Sequence, residues 1–573
     1  MDIPQVIHDV LIIGGGPAGL AVAARLREST PSAVFSDAEH SRYQWIKKHA
    51  ERTNIHRPKA HHAKGAKHTS TSHFGSASNK STSSKDKALD IKVLDASGPN
   101  WMHTWKHNFS ALRISHLRSP MFFHPCPRDR DGLLAFAHET GRSDTCLEIG
   151  GCVGKSMSKH RRKKKIARGC GVGKESAKAP LEIDERDRKD YFNPTTDLFH
   201  AYCDSIVGRY GLGKLIENKK VMSIEFDCLN PSNLDHERRT QESPPIFKVV
   251  TACGAVMFSK MVVLAIGSGG SPIMPRPLST AEHEGACHST QIRKGQFLPS
   301  NVMRKLQARR PTAVVVVGGG LTAAQIAINC LESGVSRVFM VMRSALKVKP
   351  FNIDLAWVAK YRNGEKAAFW SADSDEERYE MIQKARDGGS MTARFYRKLE
   401  PFISKKTLSI HPHTTISTQS FSPTSHTWTL TTSPPTPALS PPTQIDYIYY
   451  ATGLSTNIST LPFLSAIRET YPIEIKCGLP CLTNELAWRE DVPLFLIGRL
   501  AALRVGPDCE TLEGARLGAE RVSWAVQERM EREGDAGDGG GGGDEQGKYC
   551  EMCERIGAGN MYECLDGDGG EED

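Results

Sequence analysis

The glycines of LIIGGGPAGLAVAARL, Gly14, Gly16 and Gly19, follow the apolar run Val10 to Ile13 and open an alanine-rich stretch of helical spacing. That order suits one kind of chemistry, the binding of a dinucleotide. Gly14 permits a tight turn after a strand, Gly16 lets backbone approach a pyrophosphate, and Gly19 lets the following helix pack close to the strand. Pro17 and Ala18 fall within the same turn and join the candidate contacts, because the unpaired N–H groups of a helix N-terminus favour an anion. A second strand, Ala33 to Ser36, ends at Asp37, about twenty residues on, where an acid accepts hydrogen bonds from a ribose hydroxyl.

The pattern returns far along the chain as VVVVGGGLTAAQIA, with two changes. Gly318-x-Gly320 is followed by Ala323 instead of a third glycine, with Thr322 and Gln325 beside it at the helix start. The next strand, Val338 to Met342, ends at Arg343 instead of an acid. A guanidinium there pairs with a 2′-phosphate that an Asp or Glu would repel. The first turn therefore reads as a site for FAD and the second as one for NADPH. An Arg343 that is merely solvated would leave NADH as the partner.

Elements that position two such turns require a long α/β chain. The 573 residues suffice for two or three domains, and 39% hydrophobic with 24% charged residues is an ordinary globular composition. No apolar run reaches the roughly eighteen residues of a membrane span, and Met1 stands too near the first strand for a cleavable leader. A cytoplasmic protein is expected, with no membrane or nucleic-acid partner. The formal charge of +9 is concentrated in two insertions, and the fifteen cysteines follow no disulfide framework. The basic run at 159–165 reads as a solvated loop or as a nuclear-import signal.

The expected fold is α/β, two Rossmann-like dinucleotide-binding domains with the NADPH domain inserted into a discontinuous FAD domain. Residues 1–300 form the first part of the FAD domain, interrupted by polar insertions at about 49–87 and 159–178. Residues 301–443 form the NADPH domain with Thr and Pro-rich hairpin material at its end. QIDYIYYATG then returns the chain to the FAD domain over 444–532, and 533–573 is a glycine-rich acidic tail without a core.

FAD and NADPH turns in this order, with a late D-x-x-x-(aromatic)-A-T-G at Asp446 to Gly453, resemble the class B flavin-dependent monooxygenases. Within that group the layout is similar to the N-hydroxylating ornithine and lysine monooxygenases. LRSP, Leu117 to Pro120, stands where those enzymes carry a Leu-Arg-x-Pro segment beside the flavin. GLTAAQ replaces the commoner G-x-S-A-x-E, and GACHST at 285–290 lacks the leading Phe of the flavin monooxygenase signature. The resemblance implies reduction of FAD by NADPH, a hydroperoxide formed with molecular oxygen at flavin C4a, and oxygen transfer to a small-molecule nucleophile. N-hydroxylation is favoured, with S- or Baeyer-Villiger oxygenation as other outcomes.

Single residues carry weaker signals. Arg118 and His288 are the candidate catalytic groups: Arg118 to pair with phosphate or act beside the flavin, His288 to donate to cofactor or substrate. An ion pair and a satisfied core histidine are the plainer readings of each. Trp105 stands to stack near the flavin or to fill core. Thr452, Gly453 and Gly506 place turns where backbone can meet a cofactor. No metal cluster is visible. Other functions stay open: a disulfide reductase using Cys550 and Cys553 in the tail, an NADPH oxidase, and a flavoprotein sensor without turnover. Homo-oligomerisation is compatible with all of them.

Overall fold

The computed structural model describes residues 6–30, 89–150, 152–153, 185–228, 245–358, 362–441 and 443–536. Asp37, both polar insertions, the basic run at 159–165 and the Cys550 and Cys553 pair lie outside the described residues. The chain is α/β, built on two largely parallel sheets.

β1 (Ile7–Ile13) is the centre of the first sheet. Its apolar run is buried because parallel neighbours lie on both sides, β2 (Ile91–Leu94) and the later β6 (Val256–Leu264). β3 (Ile216–Glu217) extends the sheet beyond β2, while β4 (Val221–Cys228) and β5 (Ile246–Thr251) run antiparallel onto β6. The last strand, β14 (Leu494–Leu496), returns parallel to β6. α1 (Pro17–Arg25) packs on this sheet with Leu20 and Val22 fully buried, each contributing about 1.5–3 kcal/mol. Its Arg25 Nε donates to Glu520 Oε2 at 2.6 Å, a buried pair that ties it to the C-terminal helix.

The strand expected at Ala33 to Ser36 lies outside the described residues; among those described, β2 is the parallel neighbour of β1 on this side.

The second sheet has five parallel strands in the order β10-β9-β8-β13-β7: Leu408–His411, Arg337–Val341, Ala313–Val317, Tyr447–Tyr450 and Ala286–His288. All of it comes from chain between β6 and β14. α4 (Ser300–Gln307) precedes β8, and α5 (Leu321–Glu332) joins β8 to β9. β11 (Thr415–Ser422) and β12 (Thr427–Ser433) form an antiparallel hairpin.

Two expected boundaries are corrected by this pairing. β7 belongs to the second sheet although it precedes residue 301, and β13 belongs there although it follows residue 443. An apolar strand ending in a glycine turn has the same sequence pattern in either sheet; the partner is decided by side-chain fit across the pair.

The crossings between the sheets run side by side. Ser455 N donates to Ser271 O at 2.9 Å and Ile273 N to Gly453 O at 3.0 Å, with Pro272 bridging Leu454. Gly270 is the closest approach, since a Cβ there would stand 1.2 Å from Ser455 O. Gly270→Ala must push the crossings apart, at a cost on the order of 3 kcal/mol. Calorimetry should show a lowered thermal midpoint; an unchanged one would mean that the crossings are not packed this tightly.

Between β9 and β10 the chain leaves the second sheet as a helical arm. It carries α6 (Arg362–Trp370) and α7 (Asp375–Arg386). Ser374 caps α7 by accepting from Glu377 N, and the acids at 375–377 with Lys384 and Arg386 complement the helix dipole. This charged stretch falls within residues 301–443, the expected NADPH domain. Yet Phe351, Trp357, Phe369 and Ile382 enter the core of the first sheet, and Lys366 meets Asp508 at 3.0 Å. α8 (Ala393–Ser404) then returns to α5 in the second core. Among the described residues no helix is long and apolar enough to cross a membrane, no metal-binding cluster occurs, and ten cysteines are free thiols.

Candidate functional site

Both glycine turns stand at the carboxyl edge of a sheet and back onto a neighbouring strand end. Gly14 has φ +114 and a Cβ there would stand 2.4 Å from Ala265 O; Gly318 has φ +142 and the same 2.4 Å to Ala451 O. Ala265 and Ala451 each begin an A-x-G that follows an apolar strand, AIG after β6 and ATG after β13. The two halves thus repeat one device: strand, glycine turn and helix, wedged against the A-x-G of the fourth strand.

At the first turn, Gly19 is close-packed, with a Cβ position 2.0 Å from Gly14 O. Gly16 is the opposite, because a Cβ on it would meet nothing within 4 Å. Gly16 is the N-cap of α1, Pro17 occupies the first turn, and no side chain caps the helix and no acid lies in that turn. Open space before uncapped N–H groups is what an anionic pyrophosphate requires. Ala18 lines the same turn, partly buried against the core.

An acid does stand beside this turn, but it is Asp95, at the end of β2. Asp95 Oδ2 accepts from Gly15 N at 2.7 Å, and Oδ1 accepts from Ser97 N at 2.7 Å and Ser97 Oγ at 2.6 Å. The sequence signal was present in IKVLD, an apolar strand ending in an acid. Asp37, the acid expected about twenty residues beyond the first glycine, lies outside the described residues.

At the second turn, Gly320 is the N-cap of α5, again with no capping side chain and no acid nearby. Thr322 is exposed in the first turn, whereas Ala323 and Gln325 face the core. Gln325 Nε2 donates to Asn329 Oδ1 at 2.8 Å, and Asn329 Nδ2 to Leu112 O at 2.7 Å, which binds α5 to the segment around Leu112. Gln325 is thus spent on packing the helix. Arg343, just beyond β9, is exposed and pairs with no carboxylate among the described residues.

Arg118 was a candidate for phosphate or flavin. Its side chain instead donates to Lys349, Pro350, Phe351 and Ser390 carbonyls and to Ser390 Oγ, and no carboxylate meets it. Burial alone lowers the guanidinium to about 10, which leaves it charged near neutrality. Leu117 beside it is buried, with its N–H donated to Pro194 O at 3.0 Å.

His288, at the end of β7, is 1% exposed. Nε2 lies 3.1 Å from Gly453 O, and Nδ1 accepts from Thr290 N at 3.3 Å, an arrangement of the neutral ring; burial lowers its pKa. The ring anchors the ATG turn, the satisfied-histidine reading. Thr452 Oγ1 donates to Ile273 O in the same crossing. Asp446, first residue of the motif, accepts from Ala313 N at 2.7 Å and pairs with Lys305, fastening β13 to β8 and α4.

Trp105 belongs to α2 (His103–Ala111) and meets Phe109 at 5.1 Å and Phe199 at 5.8 Å between ring centroids. Phe199 lies on α3 (Thr196–Arg209), so Trp105 fills a seam between helices. Gly506, at φ +103, turns the chain toward α9 (Leu512–Ala536) with Phe369 of the arm against it. Two open hollows of about 660 and 410 Å³ flank α2; neither is lined by the glycine turns.

Residues 219–456 match the family model described as L-lysine 6-monooxygenase/L-ornithine 5-monooxygenase. Three solved structures share the fold. The ornithine hydroxylase of Pseudomonas aeruginosa is 14% identical at a TM-score of 0.55, over 92% of this chain and 100% of that one. The ornithine N-hydroxylase of Kutzneria sp. 744, solved with reduced FAD, NADP+ and L-ornithine, gives the same identity, TM-score and coverage. The FAD-bound cadaverine monooxygenase of Erwinia amylovora is 13% identical at 0.52, over 91% and 95%. No curated protein matches by sequence. The resemblance drawn from the motifs is met by this family model and by the shared fold.

Proposed function

We propose, from the match of residues 219–456 to the lysine and ornithine monooxygenase family, that the chain is an FAD-dependent, NADPH-consuming monooxygenase. Its two sheets are then Rossmann-like dinucleotide-binding domains, the second inserted into the first. The observation that carries this reading is the pair of glycine turns at two sheet edges, each opening a helix that no side chain caps, with open space before the first at Gly16.

Bound FAD supplies hydride acceptance from NADPH and the activation of molecular oxygen. The chain's own work is binding and placement. Gly16 and the N–H groups of α1 hold one pyrophosphate, and Asp95 is placed to accept from the adjoining ribose hydroxyls. Gly320 and the start of α5 hold the other pyrophosphate, while Arg343 meets the 2′-phosphate. Neutral His288 fixes Gly453 and with it the backbone crossing between the two sites.

The family match favours an amine nitrogen as oxygen acceptor: amine, O2, NADPH and a proton give hydroxylamine, water and NADP+. This reading goes with a small-molecule substrate and a cytoplasmic site of action. The test is to purify the protein, identify its flavin, and measure NADPH oxidation with ornithine, lysine and cadaverine while assaying hydroxylamine. Bound FAD with amine-dependent hydroxylamine supports the reading. Sulfoxide or ester from sulfide or ketone probes would move the acceptor atom, and peroxide alone would make the protein an oxidase.

A further inference from the structure

Arg118 is part of the first domain, yet every acceptor of its side chain lies at the root of the helical arm. Nε donates to Pro350 O at 3.2 Å, and Nη2 to Lys349 O at 2.9 Å and Phe351 O at 2.6 Å. Nη1 donates to Ser390 O at 3.1 Å, and Nη2 also to Ser390 Oγ at 2.8 Å. One guanidinium therefore grips both the outgoing strand, 347–351, and the returning one, 389–391. The two strands also bond to each other, Lys349 N to Met391 O and Met391 N to Lys347 O, both at 3.0 Å. Behind Arg118, Asn193 Nδ2 donates to Arg118 O at 3.0 Å and holds its loop to the first domain.

The returning strand reaches the second glycine turn. A Cβ on Gly389 would stand 3.2 Å from Gly320 N and 3.3 Å from Gly320 Cα. Gly389 adjoins Ser390, so the clamp acts one residue from the turn. The loop forms a wall beside the open N-terminus of α5.

We propose that Arg118 is a positioning residue for the dinucleotide at the second turn, holding Gly389 against Gly320 so that the site has its wall. This rests on the reading of that turn as the NADPH site. A lysine keeps the charge but cannot span five acceptors on two strands, because only the planar fork presents donors in those directions. Releasing the root lets Gly389 lift away and loosens dinucleotide binding without touching the first turn.

The experiment compares the full chain with Arg118→Lys and Gly389→Ala. NADP+ affinity is measured by titration calorimetry, hydrogen exchange over 318–322 and 386–392, and flavin reduction by rapid mixing with NADPH. Arg118→Lys should weaken NADP+ binding and raise half-saturating NADPH by about tenfold, with the limiting reduction rate within about threefold and flavin content unchanged. Exchange should quicken in both segments. Gly389→Ala keeps the clamp but crowds the wall, and should weaken NADP+ in the same direction. Wild-type affinity in Arg118→Lys overturns the proposal, as does unchanged exchange or a loss confined to the limiting rate. A wild-type chain that does not bind NADP+ overturns the reading of the second turn itself.

Discussion

Gly16→Val gives a folded, colourless protein. The space that a side chain would take at Gly16 is empty in the fold, with nothing within 4 Å of its Cβ position. A Cβ there meets no neighbour within 4 Å, so the thermal midpoint of the apoprotein should stay within a few degrees of wild-type apoprotein. The pyrophosphate would use that space, so flavin affinity should fall by on the order of a thousandfold or more. Gly19→Ala separates the two roles. Its Cβ would stand 2.0 Å from Gly14 O, which forces α1 off the strand at a cost on the order of 3 kcal/mol. Flavin absorbance per chain and calorimetry read both variants. A yellow Gly16→Val with normal flavin content would remove the first turn from the cofactor site.

The same contrast shows what the sequence makes legible. Gly14, at φ +114, and Gly19, whose Cβ position lies 2.0 Å from Gly14 O, are required by local backbone geometry, which is written in a short stretch of chain, whereas Gly16 is not. The valine run of β8 was legible for the same reason. Long-range pairing is not local. YIYYATG reads as a strand and a turn, but its place beside β8 comes from contacts with residues more than a hundred positions away.

Asp95 was not singled out through the same gap. A spacing rule counts residues, whereas Asp95 is set beside the first turn by pairing of β2 with β1. The arm shows a third kind of failure. Its apolar residues match helical spacing, which says that one face is buried but not against which core. Arg118 was read as a partner of phosphate, flavin or a carboxylate because charge is visible in sequence, whereas the carbonyls that receive it are not.

Arg343→Ala should shift the nicotinamide cofactor preference by one to two orders of magnitude, mainly by raising the KM for NADPH. Arg343 is exposed beyond β9 and has no carboxylate partner among the described residues, so its charge is not neutralised within the fold. A charge-assisted contact to a phosphate contributes roughly 1.5–3 kcal/mol, which is on the order of tenfold to a hundredfold in affinity. NADH lacks the 2′-phosphate, so its KM should stay within about twofold. Because the site is exposed, raising the salt should narrow the gap between wild type and variant. Arg343→Glu would go further and repel the 2′-phosphate, turning the preference toward NADH. Steady-state KM values for both cofactors, at low and high ionic strength, decide the matter. Equal losses with NADPH and NADH would mean that Arg343 does not read the phosphate, and the second turn would then have to take its specificity from elsewhere.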